Sequence, residues 1–117
     1  MMKTLVTGVL TSYTLGMPPA KLATYVTSKH ASLGLTRSMA VEFIRYGIGV
    51  NAVSPGMTRT GFLADLPQQF IEQVEAALPM ERLATAAEVA AVIRFLLSPE
   101  ASYINGANIP VCGGQAC

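Results

Sequence analysis

Tyr25 and Lys29 stand four residues apart in the run Tyr25-Val26-Thr27-Ser28-Lys29. On a helix that spacing stacks two side chains on one face, one above the other. A phenol ordinarily keeps its proton until pH ~10, and an ammonium within a few ångströms favours the phenolate. Such a pair is a candidate general acid/base for moving a proton near neutrality. The spacing alone says little, because an exposed Tyr and Lys on an ordinary helix would satisfy it equally. His30, next to Lys29, reads as a surface residue. Cys112 and Cys117 fit neither a disulfide framework nor a four-ligand metal site, so reduced thiols and no metal are expected.

The elements that would position this pair follow from pattern. Thr4 to Leu10 is short, β-branched and apolar, and reads as a buried strand. Thr11 to Ala23 holds Gly16, Pro18 and Pro19 and reads as a loop. Thr24 suits a helix cap or first turn. From Tyr25 to Tyr46 no proline intervenes, and Leu33, Leu35, Thr36, Met39, Ala40 and Phe43 recur at helical spacing. Arg45 and Gly47 form the expected stop. Gly34, inside the helix, costs roughly 1 kcal/mol against Ala and suggests close packing on a neighbour. Ile48 to Val53 reads as a second strand, ended by Ser54-Pro55-Gly56. Pro67 to Leu78 predicts a helix, and Pro79 breaks it. Thr85 and Glu88 make a capping-box pattern opening another helix that ends near Ser98-Pro99. Asn108 to Val111 is a short third strand, closed by Gly113-Gly114. Helices between strands argue for an α/β fold, a parallel sheet with right-handed crossovers.

With 117 residues the chain has room for one small domain. Its 51% hydrophobic and 13% charged residues suit strands covered on both faces, or a piece of a larger protein whose missing partner would cover apolar surface. A net charge of +1 leaves no footprint for nucleic acid or a membrane surface. No apolar run is long enough to span a bilayer. Residues from Met1 to Ala20 resemble a signal peptide only weakly, since Thr4, Thr7, Gly8, Thr11 and Ser12 interrupt the core. The expectation is a cytoplasmic protein.

The run from Tyr25 to Ser38 resembles the active-site helix of the short-chain dehydrogenases/reductases, 3-oxoacyl reductase-like members among them. Gly47 to Thr60 resembles the strand and P-G-x-x-x-T turn that follow it. Arg82-Leu-Ala, Glu88-Val-Ala, Phe95-Leu-Leu-Ser and Ala101 to Gly106 resemble the last helix and the approach to the last strand. The resemblance runs from about Thr11 to Gly114. It implies a Rossmann-like parallel sheet with helices on both faces, here the C-terminal part of a doubly wound fold. It also implies an oxidoreductase using NAD or NADP on a small-molecule alcohol or carbonyl substrate, and assembly as a homo-oligomer. On that resemblance Tyr25 is the acid/base. Lys29 holds the cofactor's ribose hydroxyls. Ser12, thirteen positions before Tyr25, is the catalytic serine that hydrogen-bonds the substrate oxygen. Pro55, Gly56, Thr58 and Thr60 hold the nicotinamide end of the cofactor. Residues from Gly61 to Met80 fall in the variable substrate-binding region, where Phe62, Leu63, Leu66 and Phe70 suit an apolar lid or ordinary helix packing equally.

The resemblance covers the family's second half. Met1 to Gly8 looks like the family's first strand and glycine loop, but Ser12 and Thr14 stand where the later glycines belong. This stretch is therefore read as the strand preceding Ser12, and residues 1–117 as one partial domain lacking the N-terminal cofactor-binding half. Val9, Leu10 and Thr11 depart from the family's usual Asn and Ser, and Cys112 replaces an Asp often found before Gly113. Two expectations stand: the catalytic half of a dehydrogenase, or a truncated, non-catalytic remnant or assembly module.

Overall fold

In chain order the elements are β1 (Lys3–Gly8), α1 (Ala23–Phe43), β2 (Ile48–Pro55), β3 (Thr58–Arg59), α2 (Gln68–Ala77), β4 (Ala84–Thr85), α3 (Ala86–Leu96) and β5 (Asn108–Val111). The computed structural model describes residues 3–8 and 20–115. β2 is the middle of a parallel three-stranded sheet ordered β1-β2-β5. β1 pairs from Lys3↔Ile48 to Gly8↔Val53, and β5 from Ala52↔Asn108 to Pro55↔Val111. The stretch up to Gly8 therefore lies directly beside β2, as expected of the strand that precedes Ser12. Pro110, which has no N–H to give, sits exposed on β5, where an edge strand tolerates it.

Successive side chains of a strand point to opposite faces. Every residue from Gly49 to Ser54 is buried, so both faces of β2 are covered. α1 and α3 both pack on it. α1 buries Leu33, Thr36 and Ala40, one narrow stripe at helical spacing. α3 buries Leu96, which clusters with Val53 and Ala101 and is flanked by Val89, Val92 and Ile93. Its predicted capping box is complete: Glu88 N–H donates to Thr85 Oγ1 at 3.2 Å, and Thr85 N–H donates to Glu88 Oε2 at 2.8 Å.

β2 also buries two polar side chains, Asn51 and Ser54. Asn51 Nδ2 donates to Ile104 O at 3.0 Å, and its Oδ1 accepts from Ala107 N–H at 3.0 Å. Ser54 Oγ donates to Asn108 Oδ1 at 2.5 Å. Asn105 joins helix to strand: its Oδ1 accepts from Val50 N–H at 2.8 Å, and its Nδ2 donates to Ala40 O at 2.9 Å. An amide left unpaired inside a protein costs about 1–3 kcal/mol, so these bonds hold the elements in register.

Several boundaries differ from expectation. α1 starts at Ala23 with Leu22 in the cap position, so Thr24 takes the first-turn place that the sequence also allowed. Its end tightens into a 3₁₀ turn, Ile44–Tyr46, stopped by Gly47 at φ +73°, whose N–H donates to Ile44 O. That left-handed backbone suits a glycine. Gly34 is exposed, and an added Cβ would meet nothing within 4 Å, so the close packing expected there is not found. β2 extends through Pro55, because β5 continues to pair with it. The two-residue strands β3 and β4 were not foreseen, since two residues carry no periodicity to read. Reduced thiols were expected throughout, yet Cys112 is disulfide-bonded.

Asn105→Leu keeps roughly the side-chain volume while orphaning Val50 N–H and Ala40 C=O. We expect a loss of about 2–4 kcal/mol in urea unfolding. A loss below about 0.5 kcal/mol would show that Asn105 does not couple α1 to β2.

Candidate active site

Tyr25 and Lys29 lie on the first two turns of α1. The Lys29 ammonium sits over the Tyr25 ring, 5.4 Å from its centroid, as i, i+4 stacking requires. Tyr25 is 38% exposed and Lys29 half-buried. The nearby hydroxyls serve the helix. Ser28 Oγ donates to Tyr25 O at 2.7 Å, Ser32 Oγ to Ser28 O at 3.0 Å, and Thr36 Oγ1 to Ser32 O at 2.8 Å. His30 is exposed, with its Nδ1 3.0 Å from Val26 O, and takes no part in the pair.

Geometry fixed far from Tyr25 decides what faces it. Asn105 ties Ala40 to Val50. Tyr25 lies fifteen residues before Ala40 on the helix side, roughly 22 Å at ~1.5 Å per residue. Gly56 lies six residues past Val50 on the strand side, roughly 20 Å at ~3.3 Å per residue. The turn at Gly47 reverses the chain between them. Tyr25, Lys29 and the Pro55-Gly56 turn thus come to the same carboxyl end of the sheet.

The turn itself is held on its far side. Gly56 N–H donates to Val111 O at 2.9 Å, Thr58 Oγ1 donates to Gly56 O at 3.0 Å, and Ala84 N–H donates to Met57 O at 3.0 Å. Thr58 and Arg59 pair with Ala84 and Thr85. Thr60 follows in extended conformation with its side chain exposed. The structure therefore brings Tyr25, Lys29, Pro55, Gly56, Thr58 and Thr60 to one end, while Ser12 lies outside the described residues. Lys29 offers an ammonium and Thr60 an exposed hydroxyl, donors that suit a ligand rich in hydroxyls and amide groups. No glycine-rich turn opens a helix among the described residues.

Beyond the turn, α2 builds a small core of its own. Ile71, Leu78 and Leu83 are buried against Met57, Leu63, Leu66 and Val74. Leu63 and Leu66 are thus packing residues, while Phe70 is half exposed. The Phe62 side chain lies outside the described residues. An open recess of about 430 Å³ runs beneath, lined by Arg59, Thr60, Leu63, Leu66 and Ile71. On the other side of the turn is a cavity of about 190 Å³ that includes Gly56, Met57, Met80, Arg82, Glu88 and Cys112 in its walls. Sequence reasoning missed Asn105 and the Arg59–Glu75 pair, which the structure places at 2.6 Å. Asn105 precedes Gly106, so it reads as a turn residue. Arg59 and Glu75 are too far apart in sequence for any helical spacing to link them.

Residues 1–116 match the family model described as enoyl-(acyl carrier protein) reductase. The chain is 40% identical over 100 residues to levodione reductase of Leifsonia aquatica, covering 79% of this chain and 38% of that protein. It is 40% identical over 93 residues to the 3-oxoacyl-[acyl-carrier-protein] reductase MabA of Mycobacterium tuberculosis, covering 80% and 38%. Its fold matches the crystal structure of 3-oxoacyl-[acyl-carrier protein] reductase from Brucella melitensis with a TM-score of 0.85 at 31% identity, over 97% of this chain and 42% of that one. The chain belongs to the short-chain dehydrogenase/reductase family, whose members here are oxidoreductases. It spans about two fifths of the length of these relatives. No helix among the described residues is long and apolar enough to cross a membrane.

Glu88 supports a pH prediction. Its hydrogen bond from Arg82, 2.7 Å, and then that from Thr85 N–H, pull its carboxyl from 4.5 down to about 2. A depressed carboxylate adds stability that is complete above its unfolded value and vanishes as pH falls through the folded one. Melting temperatures should therefore fall between pH 4.5 and about 2 more steeply in the parent chain than in Glu88→Gln. Parallel profiles would refute the coupling.

Proposed function

We propose that this chain supplies the proton-transfer half of an NAD(P)-dependent oxidoreductase that interconverts a secondary alcohol and a ketone. One observation carries the reading: the Lys29 ammonium stacks 5.4 Å from the Tyr25 ring centroid, at the end of the sheet where β2 delivers Pro55 and Gly56. Tyr25 gives its phenolic proton to the carbonyl oxygen in reduction and takes one from the alcohol in oxidation. Lys29 hydrogen-bonds the ribose hydroxyls and keeps a positive charge beside Tyr25. Ser12 hydrogen-bonds the substrate oxygen as charge develops on it. Pro55 and Gly56 let the backbone approach the nicotinamide. Thr58 offers main-chain groups, since its hydroxyl proton goes to Gly56 O. Thr60 offers its exposed hydroxyl to the carboxamide. The nicotinamide, when bound, supplies the hydride chemistry.

The recess beside Thr60, whose wall mixes Arg59, Thr60 and Gln68 with Leu63, Leu66 and Ile71, supports a small substrate carrying both polar and apolar groups. Assembly into a homo-oligomer is supported by α1, which leaves Leu35 60% and Val41 77% exposed. A second reading, a non-catalytic assembly module, is favoured by the outer edge of β1, which carries no strand among the described residues. On that reading the chain alone self-associates in sedimentation and binds NADH and NADPH only weakly. A compact monomer binding either at micromolar concentration would exclude it.

Joined to the N-terminal half of a relative, the chain should show dehydrogenase activity. Tyr25→Phe should then lower turnover by at least roughly 10²–10⁴-fold. Near-normal turnover would remove Tyr25 from the mechanism. In the same protein, Lys29→Met should weaken dinucleotide binding, and Ser12→Ala should lower turnover at unchanged cofactor affinity. Indistinguishable effects of the two would overturn their separate roles.

A further inference from the structure

The segment between β3 and β4 leaves the sheet and returns to it almost at the same place. Its base is a ladder of two residue pairs, Thr58↔Ala84 and Arg59↔Thr85. Its body is α2 with the small cluster of Ile71, Leu78 and Leu83. So short a ladder gives the body little directed backbone pairing, and the rest of its attachment is the non-directional apolar contact of Ile71, Leu78 and Leu83 with Met57. One further bond reaches from the base to the body: Arg59 Nη2 meets Glu75 Oε1 at 2.6 Å. Arg59 is half exposed, at 55%, and Glu75 is drawn down to 22%. Arg59 also precedes Thr60 and lines the same recess.

The geometry points to Arg59 and Glu75 as positioning residues, a latch that fixes α2 over the recess beside Thr60. The pair adds a directed bond between base and body to the apolar contact that Met57 makes with the cluster. When it is closed, the recess wall formed by Leu63, Leu66 and Ile71 keeps its place. When it is open, that wall moves away from Thr60. The significance for substrate rests on the proposed function, but the latch can be read without any activity.

The test is amide hydrogen exchange by mass spectrometry on the chain as it exists. Arg59→Met should speed exchange across residues 68–77 by roughly 2–5-fold, the range for a pair this exposed, with α1 and β2 unchanged. The charge swap R59E/E75R should restore the parent rate. Because 1 M salt shortens the screening length to about 3 Å, it should speed the parent segment and leave Arg59→Met unaffected. Unchanged exchange in Arg59→Met, equal acceleration in α1 and β2, or failure of the swap to restore the rate would each overturn the latch. Should Arg59→Met not fold, the salt response of the parent decides: no acceleration confined to residues 68–77 overturns it. A failed oxidoreductase assay with intact exchange effects would sink the functional reading and leave the latch standing.

Discussion

One side-chain amide, that of Asn105, holds the last turn of α1 to the first half of β2. It accepts from Val50 and donates to Ala40, so the phase of α1 against β2 is set by hydrogen bonds as well as by packing. Apolar contacts between Leu33, Ala40 and the sheet are non-directional and would tolerate a slide along the helix axis. Two directed bonds from one side chain do not. Asn51 repeats the device one residue further along β2, bonding Ile104 and Ala107 and so fixing the turn that carries Asn105. Asn51 has no apolar alternative at this point, because Ala107 N–H and Ile104 O would then lose their partner.

The carboxyl end of the sheet inherits its arrangement from this clamp. Tyr25 and Lys29 reach it along α1, and Pro55 and Gly56 reach it along β2. The Pro-Gly turn is then fastened from the opposite side by Val111 and by the β3–β4 ladder. Membership of the short-chain dehydrogenase/reductase family agrees with this layout. So does the burial of β2 on both faces, which explains why so apolar a strand stands in so short a chain.

Much of this was legible in the residues. The Thr85/Glu88 pair announced α3, Gly47 announced the end of α1, and Asn108 to Val111 was bounded correctly. These signals are local, and the physics behind them is local too. What escaped was non-local or too short. β3 and β4 are two residues each, and Asn105 looks like a loop residue until Ala40 is placed beside it. Gly34 misled in the other direction: a helix-interior glycine suggested close packing, yet it faces open space. Cys112 was read from the number and spacing of the cysteines, and a disulfide depends on which atoms meet. The candidate site residues came from motif resemblance, since the spacing of Tyr25 and Lys29 alone says little. The structure added that the Lys29 ammonium lies 5.4 Å from the Tyr25 ring centroid.

The clamp also turns α1 into a lever. Its fulcrum is at Ala40 and its working tip is Tyr25, roughly 22 Å away. A rotation of about 3° at the fulcrum swings the tip by about 1 Å over that length. A displacement of that size is enough to cost a positioned reaction on the order of 10²-fold. The mechanical tolerance of the tyrosine is therefore set at the opposite end of its helix. A methyl group gained or lost near Ala40, where an added Cβ on Gly106 would already come within 3.4 Å, would be magnified on its way to the ring.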